Sequence, residues 1–170
     1  MNQRTIIIQG SANSNGNTHK VVSYISKITG TAIIDLKTKN IAQFDYEFKN
    51  IGDDFIPLIK ELVQNYELLI FATPVYWYTM SGIMKNFFDR ITDCLIIKKE
   101  IGRALRGKQM AVISCGANKC LKPEFFIPFK ETANYLGMEY KGDFYMPFEY
   151  GEKLKFDKLK ISKFIEMITL

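Results

Sequence analysis

The feature that most constrains this chain is a repeated switch of hydrophobic period, from short β-branched blocks to apolar residues at helical spacing and back. Thr5 to Gln9 is such a block, closed by Gly10. After a polar stretch the apolar residues resume as Val21, Val22, Ile25 and Ile28, the spacing of one buried helical face, with Gly30 where a helix stops. Thr31 to Leu36 reads as a second strand, whereas Lys37 to Asp53 has no clear period. Phe55, Ile59, Leu62 and Val63 predict a helix capped by Asp53 or Asp54, feeding a strand from Leu68 to Ala72. A turn at Thr73-Pro74 leads to a helix from about Gly82 to Asp93. A polar, glycine-containing connection then reaches the strand Gln109 to Ser114. Helix, strand and helix at roughly 123–136, 139–145 and 155–168 complete the pattern.

Strands that are apolar on both faces and separated by helices call for a parallel sheet covered on each side. Five of them fit a flavodoxin-like α/β architecture: a doubly wound five-stranded parallel sheet in the order 2-1-3-4-5, with helices on both faces. Residues 1–170 are expected to form a single domain, since no repeat, low-complexity tract or linker interrupts them. Ligands of such sheets lie beyond the carboxyl ends of the strands, where the winding reverses. The loops after strands one, three and four are therefore the candidates for function.

Several function classes lose support on composition. No apolar run approaches the ~20 residues that span a bilayer, and Ile6-Ile7-Ile8 is too short for the core of a secretory signal. A cytoplasmic location is expected, with no membrane partner. The cysteines number three, Cys94, Cys115 and Cys120, and form no disulfide framework. His19 is the only histidine, so no metal site is expected. The net charge of +5 and pI near 9.0 come from scattered lysines, without a recognition module for nucleic acid.

The first loop, Gly10-Ser11-Ala12-Asn13-Ser14-Asn15-Gly16-Asn17-Thr18, lies between a strand and a helix N-terminus. Helix-terminal N–H groups attract an anion, Ser11, Ser14, Asn17 and Thr18 add side-chain donors, and Gly10 and Gly16 permit close approach. The competing reading is a polar turn in which Asn17 or a neighbour caps the helix. Neither G-x-G-x-x-G nor G-x-x-x-x-G-K-[ST] is present, which disfavours dinucleotide Rossmann and P-loop readings. The second loop, Thr73 to Gly82, brings Pro74, Val75, Tyr76, Trp77 and Tyr78 to the same sheet edge. A planar ring system can stack there, unless the aromatics merely pack the loop onto the sheet.

A phosphate loop and an aromatic loop on one edge suit a ligand with a phosphate tail and a flat ring, and FMN is such a ligand. The stretches IIIQGSANSNGNT and FATPVYWYTMSGIMKNFFDRI resemble the two signatures of the NAD(P)H-dependent FMN reductase family of flavoprotein oxidoreductases. Gly10, Ser11, Gly16, Asn17 and Thr18 meet its first pattern, and Pro74, Tyr76, Trp77, Ser81, Gly82 and Lys85 its second. The resemblance covers about the first 120 residues. It implies that Ser11, Ser14, Asn17 and Thr18 hold the FMN phosphate and that Pro74, Val75, Tyr76 and Trp77 border the isoalloxazine. Ser114, Cys115, Gly116 and Ala117, read as a third loop, would approach the other side. A homodimer or higher homo-oligomer is also implied by the resemblance alone.

Other reactive residues take plainer readings. Cys115 is read as a small buried residue and His19 as a surface histidine. Lys85 and Asp89 are read as an exposed helix pair or a subunit contact. Some relatives carry cysteines after the second strand, but Lys37 to Tyr46 has none, so an iron–sulfur cluster is excluded. Phe44, Tyr46 and Phe48 are assigned instead to a subunit interface or an acceptor pocket. With chemistry on the flavin, no side chain need be catalytic. The expected reaction takes electrons from NADH or NADPH to a small-molecule acceptor such as a quinone, a flavin, a nitro compound or an azo compound. The rival reading is a flavodoxin-like electron carrier without its own pyridine-nucleotide reaction, against which the basic charge speaks.

Overall fold

The computed structural model describes residues 4–169, so Met1 to Gln3 of the N-terminal stretch lie outside the described residues. Five parallel strands, β1 (Thr5–Gln9), β2 (Ala32–Asp35), β3 (Leu68–Pro74), β4 (Gln109–Gly116) and β5 (Glu139–Pro147), form one sheet in the order β2-β1-β3-β4-β5. This is the expected order, and the winding reverses between β1 and β3. The helices are α1 (Asn17–Thr29), α2 (Phe55–Asn65), α3 (Gly82–Ile96), α4 (Lys99–Ala104), α5 (Ile127–Leu136) and α6 (Lys158–Thr169).

Each inner strand is buried on both faces, which is why its sequence is continuously apolar rather than alternating. Ile7, Ile70, Ala111 and Ile113 pack under α1 and α6 with Val21, Ile25, Ile161 and Phe164. Ile6, Ile8, Leu69, Phe71 and Val112 pack on the other face with Phe55, Leu62, Met84, Phe87 and Phe129. Burial of each large side chain stabilises by about 1.5–3 kcal/mol, and the two layers lock the strand register.

The differences from expectation are local. The connection after α3 holds an unexpected short helix, α4, whose Gly102 lies where a Cβ would come within 2.4 Å of the Cys94 carbonyl oxygen. Pro123–Phe126 winds as a 3-10 turn before α5, and β5 runs on to Pro147. The N-cap of α2 is Asp54, but the neighbouring Asp53 carboxylate accepts from the Phe55 N–H at 2.9 Å. β4 also runs further than its apolar core suggests, so Ser114, Cys115 and Gly116 belong to the strand and not to a loop.

The aperiodic segment after β2 is held by one buried cation. Arg90 of α3 is 1% exposed and pairs with Asp53 at 2.5 Å and Asp93 at 2.7 Å. It also donates to the Ala42 and Asn50 carbonyls. Burial pushes the Asp53 pKa up, but the Arg90 hydrogen bond and the N–H groups of Phe55 and Ala42 outweigh it, leaving the carboxyl below its ordinary range. By contrast Lys85–Asp89 is an exposed i,i+4 pair, of the kind that contributes about 0.3–0.5 kcal/mol. Phe44 packs edge-on against Tyr46 and Phe48, and Tyr46 stays exposed.

Candidate functional site

The parallel register brings the carboxyl ends of β1, β3 and β4 side by side. Gln9 pairs with Ala72, Thr73 with Ser114 and Pro74 with Cys115. The loop after β1 therefore starts beside the loop after β3, and a buried hydroxyl ties them. Ser81 Oγ donates to the Gly10 carbonyl at 2.6 Å and accepts from the Met84 N–H as the N-cap of α3. Thr73 Oγ1 accepts from the Ser81 N–H, and Ser114 Oγ donates to the Thr73 carbonyl. Gly10 serves this packing: a Cβ there would lie 3.0–3.1 Å from Met84 Cβ and Cα.

The loop from Gly10 to Gly16 is wound on itself. Asn13 N–H donates to Ser11 Oγ, Asn15 N–H to Asn13 Oδ1, and Gly16 N–H to the Asn13 carbonyl. The cap of α1 is Gly16, and no side chain bonds across the helix end. The polar-turn reading with a side-chain cap is thus not what the chain adopts. The positive end of α1 opens instead on a cavity of about 480 Å³ lined by Ser11, Asn13, Gly16, Asn17 and Thr18 on one side. Pro74, Tyr76, Phe148 and Tyr150 line the other side. Lys37 holds the loop from outside, donating to the Ala12 carbonyl at 2.6 Å.

The loop after β3 is a two-residue hairpin turn, with Tyr76 and Thr79 exchanging backbone hydrogen bonds at 2.9 and 3.0 Å. Trp77 and Tyr78 occupy its centre at φ 49° and 64°. Such turns favour Asn-Gly, because a large side chain at positive φ is strained. Trp77 is 93% exposed and Tyr78 70%, so these aromatics do not pack the loop onto the sheet. Tyr76, Pro74, Val75 and Trp77 instead border a second cavity of about 270 Å³, closed by Cys115, Gly116 and Tyr145. It shares Pro74, Tyr76, Phe148 and Tyr150 with the first. The two make one crevice in the size range of ligand sites, ~300–1,000 Å³.

A family model described as NADPH-dependent FMN reductase matches residues 4–122. The chain belongs to that family. It is an oxidoreductase that works with FMN and NAD(P)H. YwqN of Bacillus subtilis (strain 168), named for an NAD(P)H-dependent FMN-containing oxidoreductase, is 30% identical over 151 residues, 80% of each chain. Among solved structures, the Trp repressor binding protein from Bacillus subtilis has a TM-score of 0.76 at 23% identity, over 96% of the reductase and 97% of that chain. General stress protein 14 from Treponema denticola, solved in complex with FMN, has a TM-score of 0.64 at 17% identity, over 97% and 95%. These two likenesses bear on the fold.

Of the residues singled out from sequence, Ser11, Gly16, Asn17, Thr18, Pro74, Val75, Tyr76, Trp77, Cys115 and Gly116 line the reductase's crevice. Gly10, Ser14 and Ser114 do not line it. Gly10 is under Met84, Ser114 is inside the sheet, and the Ser14 carbonyl is held by Gln9. The Cys115 thiol is 1% exposed and burial pushes its pKa up to about 12, which suits packing and not thiolate chemistry. Sequence reasoning missed Asn13 and the loop after β5, where Phe148 stacks edge-on with Tyr150. The signal was present: two aromatics leave β5 as Tyr76 and Trp77 leave β3.

The turn carries a testable consequence. Replacing Trp77 by Asn together with Tyr78 by Gly relieves two strained backbone positions and is expected to stabilise the apoprotein by on the order of 1–3 kcal/mol in urea unfolding. The same change removes aromatic surface from the crevice, so flavin affinity, followed by fluorescence quenching, falls while stability rises.

Proposed function

We propose that the crevice holds FMN with its phosphate at the α1 N-terminus and its ring system beside Pro74, Val75, Tyr76 and Trp77. The observation that carries this reading is the continuity of an uncapped helix N-terminus with an exposed aromatic turn on one sheet edge. The donor set fits the phosphate. Ser11 and Thr18 bring hydroxyls, Asn17 an amide, and α1 its terminal N–H groups, with no bulky side chain on Gly16 to fill the space. Gly116 keeps the far wall low, since a Cβ there would meet the Tyr145 hydroxyl at 2.9 Å and Val75 at 3.2 Å.

Bound there, FMN supplies the two-electron chemistry, as hydride acceptor from NAD(P)H and electron donor to the second substrate. The protein's part is placement. Pro74 and Val75 fix the floor, the hairpin turn limits water at one rim, and Phe148 and Tyr150 border the other. No side chain is assigned a proton transfer. We further propose a small acceptor (a quinone, free flavin, nitro compound or azo compound) and a homo-oligomer that shields the exposed aromatics of the rim. Three unbridged thiols support a reducing, cytoplasmic setting.

The test is a steady-state panel under anaerobic conditions. NADPH or NADH is paired in turn with a quinone, free FMN, a nitroarene and an azo dye. Turnover of at least one with parallel double-reciprocal lines is expected. Flavin that is reduced by NAD(P)H yet passes electrons to none of the four would overturn the acceptor assignment.

A further inference from the structure

Behind the loop that follows β1 lies a polar chain with no assigned role. Gln9 is completely buried at the end of β1, next to the buried isoleucines Ile6, Ile7 and Ile8. Both ends of its side-chain amide are engaged: Nε2 donates to the Ser14 carbonyl at 3.3 Å, and Oε1 lies 3.0 Å from His19 Nδ1. His19 Nε2 in turn lies 3.0 Å from Ser23 Oγ, one turn further along α1. His19 is half-buried, and both its nitrogens are engaged.

The hydrogen-bond roles in this chain are coupled. Because the Gln9 amide N–H faces a carbonyl, its oxygen must face His19, and Nδ1 must then be the protonated nitrogen. The neutral ring accordingly accepts from Ser23 Oγ–H at Nε2. A ring protonated only at Nε2 would present a lone pair to Gln9, turn its amide over, and set two oxygens against each other at Ser14. The tautomer of His19 thus decides whether the loop is anchored at Ser14.

We propose that His19 is a positioning residue for the phosphate loop. As the Nδ1–H tautomer it holds Gln9 so that the loop between β1 and α1 keeps the conformation that receives a phosphate. This rests on the reading that the loop takes the FMN phosphate. The residue touches neither the crevice nor the ring system; it acts through Gln9 and Ser14.

The test compares FMN with riboflavin, which has the same ring and no phosphate. Affinities for wild type, His19→Leu and His19→Asn apoproteins are measured by flavin fluorescence quenching. Asn keeps an N–H donor at the position of Nδ1, and Leu keeps none. His19→Leu is expected to cut the FMN-over-riboflavin preference about tenfold, and His19→Asn to restore it to within about threefold. Equal loss for both flavins, or no rescue by Asn, would overturn the positioning role. A wild-type protein that binds the two flavins alike would instead remove the phosphate-loop reading itself. The only histidine also gives one pair of 15N resonances. In the singly protonated ring they should report the proton at Nδ1, and a proton at Nε2 alone would contradict the proposal.

Discussion

Replacing Asn17 by Asp is expected to separate folding from cofactor binding more sharply than any other single change. The side chain stays the same size, and a carboxylate in the first turn of α1 interacts favourably with the helix dipole, by about 0.3–1 kcal/mol. The apoprotein should therefore melt at the same or a slightly higher temperature. Its FMN affinity should collapse. Two like charges about 4 Å apart at an effective dielectric near 20 repel by about 4 kcal/mol, which corresponds to a loss on the order of 100- to 1,000-fold. Riboflavin binding should change little. Equal loss of both flavins would place the phosphate elsewhere. High salt should recover only part of the FMN affinity, because a partly enclosed pair is poorly screened.

The second large effect concerns Arg90. Arg90→Leu leaves Asp53 and Asp93 buried without their counter-charge, and breaking such a pair from one side costs about 3–5 kcal/mol. The exposed Lys85–Asp89 pair on the same helix provides the contrast: Lys85→Ala should cost less than about 0.5 kcal/mol. The pH dependence should also change sign. In the native protein the Asp53 pKa is depressed, so its stabilisation is present above the unfolded value and is lost as pH falls through the folded one, below about pH 4. In Arg90→Leu the unpaired carboxylates favour the protonated form, so the deficit shrinks as the medium is acidified. Urea unfolding of both proteins between about pH 2 and 8 reads this directly.

Most of the sheet was legible because burial on both faces writes a continuous apolar run into each inner strand. β1, β3 and β4 are such runs, and the helical period of α1, α2 and α3 separates them. The elements that were not legible are those fixed by single tertiary contacts. α4 is six residues long and forms because Gly102 lets it press against the end of α3. The segment from Lys39 to Asp53 has no period because side chains from elsewhere satisfy its backbone, among them Arg90 and Asn86. The ends of strands are equally poor in signal: Ser114 and Gly116 read as a loop because they are small and polar, yet they are paired with β5.

The site was half legible for a related reason. The loops after β1 and β3 carry unusual concentrations of small, polar or aromatic residues, and the structure places them together at one crevice. The contribution of the loop after β5 was missed, because Phe148 and Tyr150 are ordinary residues whose meaning comes only from where β5 ends. His19 was read as a surface residue because sequence spacing does not show that Gln9, ten positions earlier, needs a hydrogen-bond donor.

The most direct test of the account is an anaerobic titration of the FMN-reconstituted protein with NADPH, followed by visible absorption, for wild type and Asn17→Asp in parallel. Wild type should retain the flavin bands through desalting and bleach them stoichiometrically with NADPH, whereas Asn17→Asp should elute without flavin. Flavin retained equally by both proteins, or wild-type bands that survive NADPH and NADH alike, would contradict it.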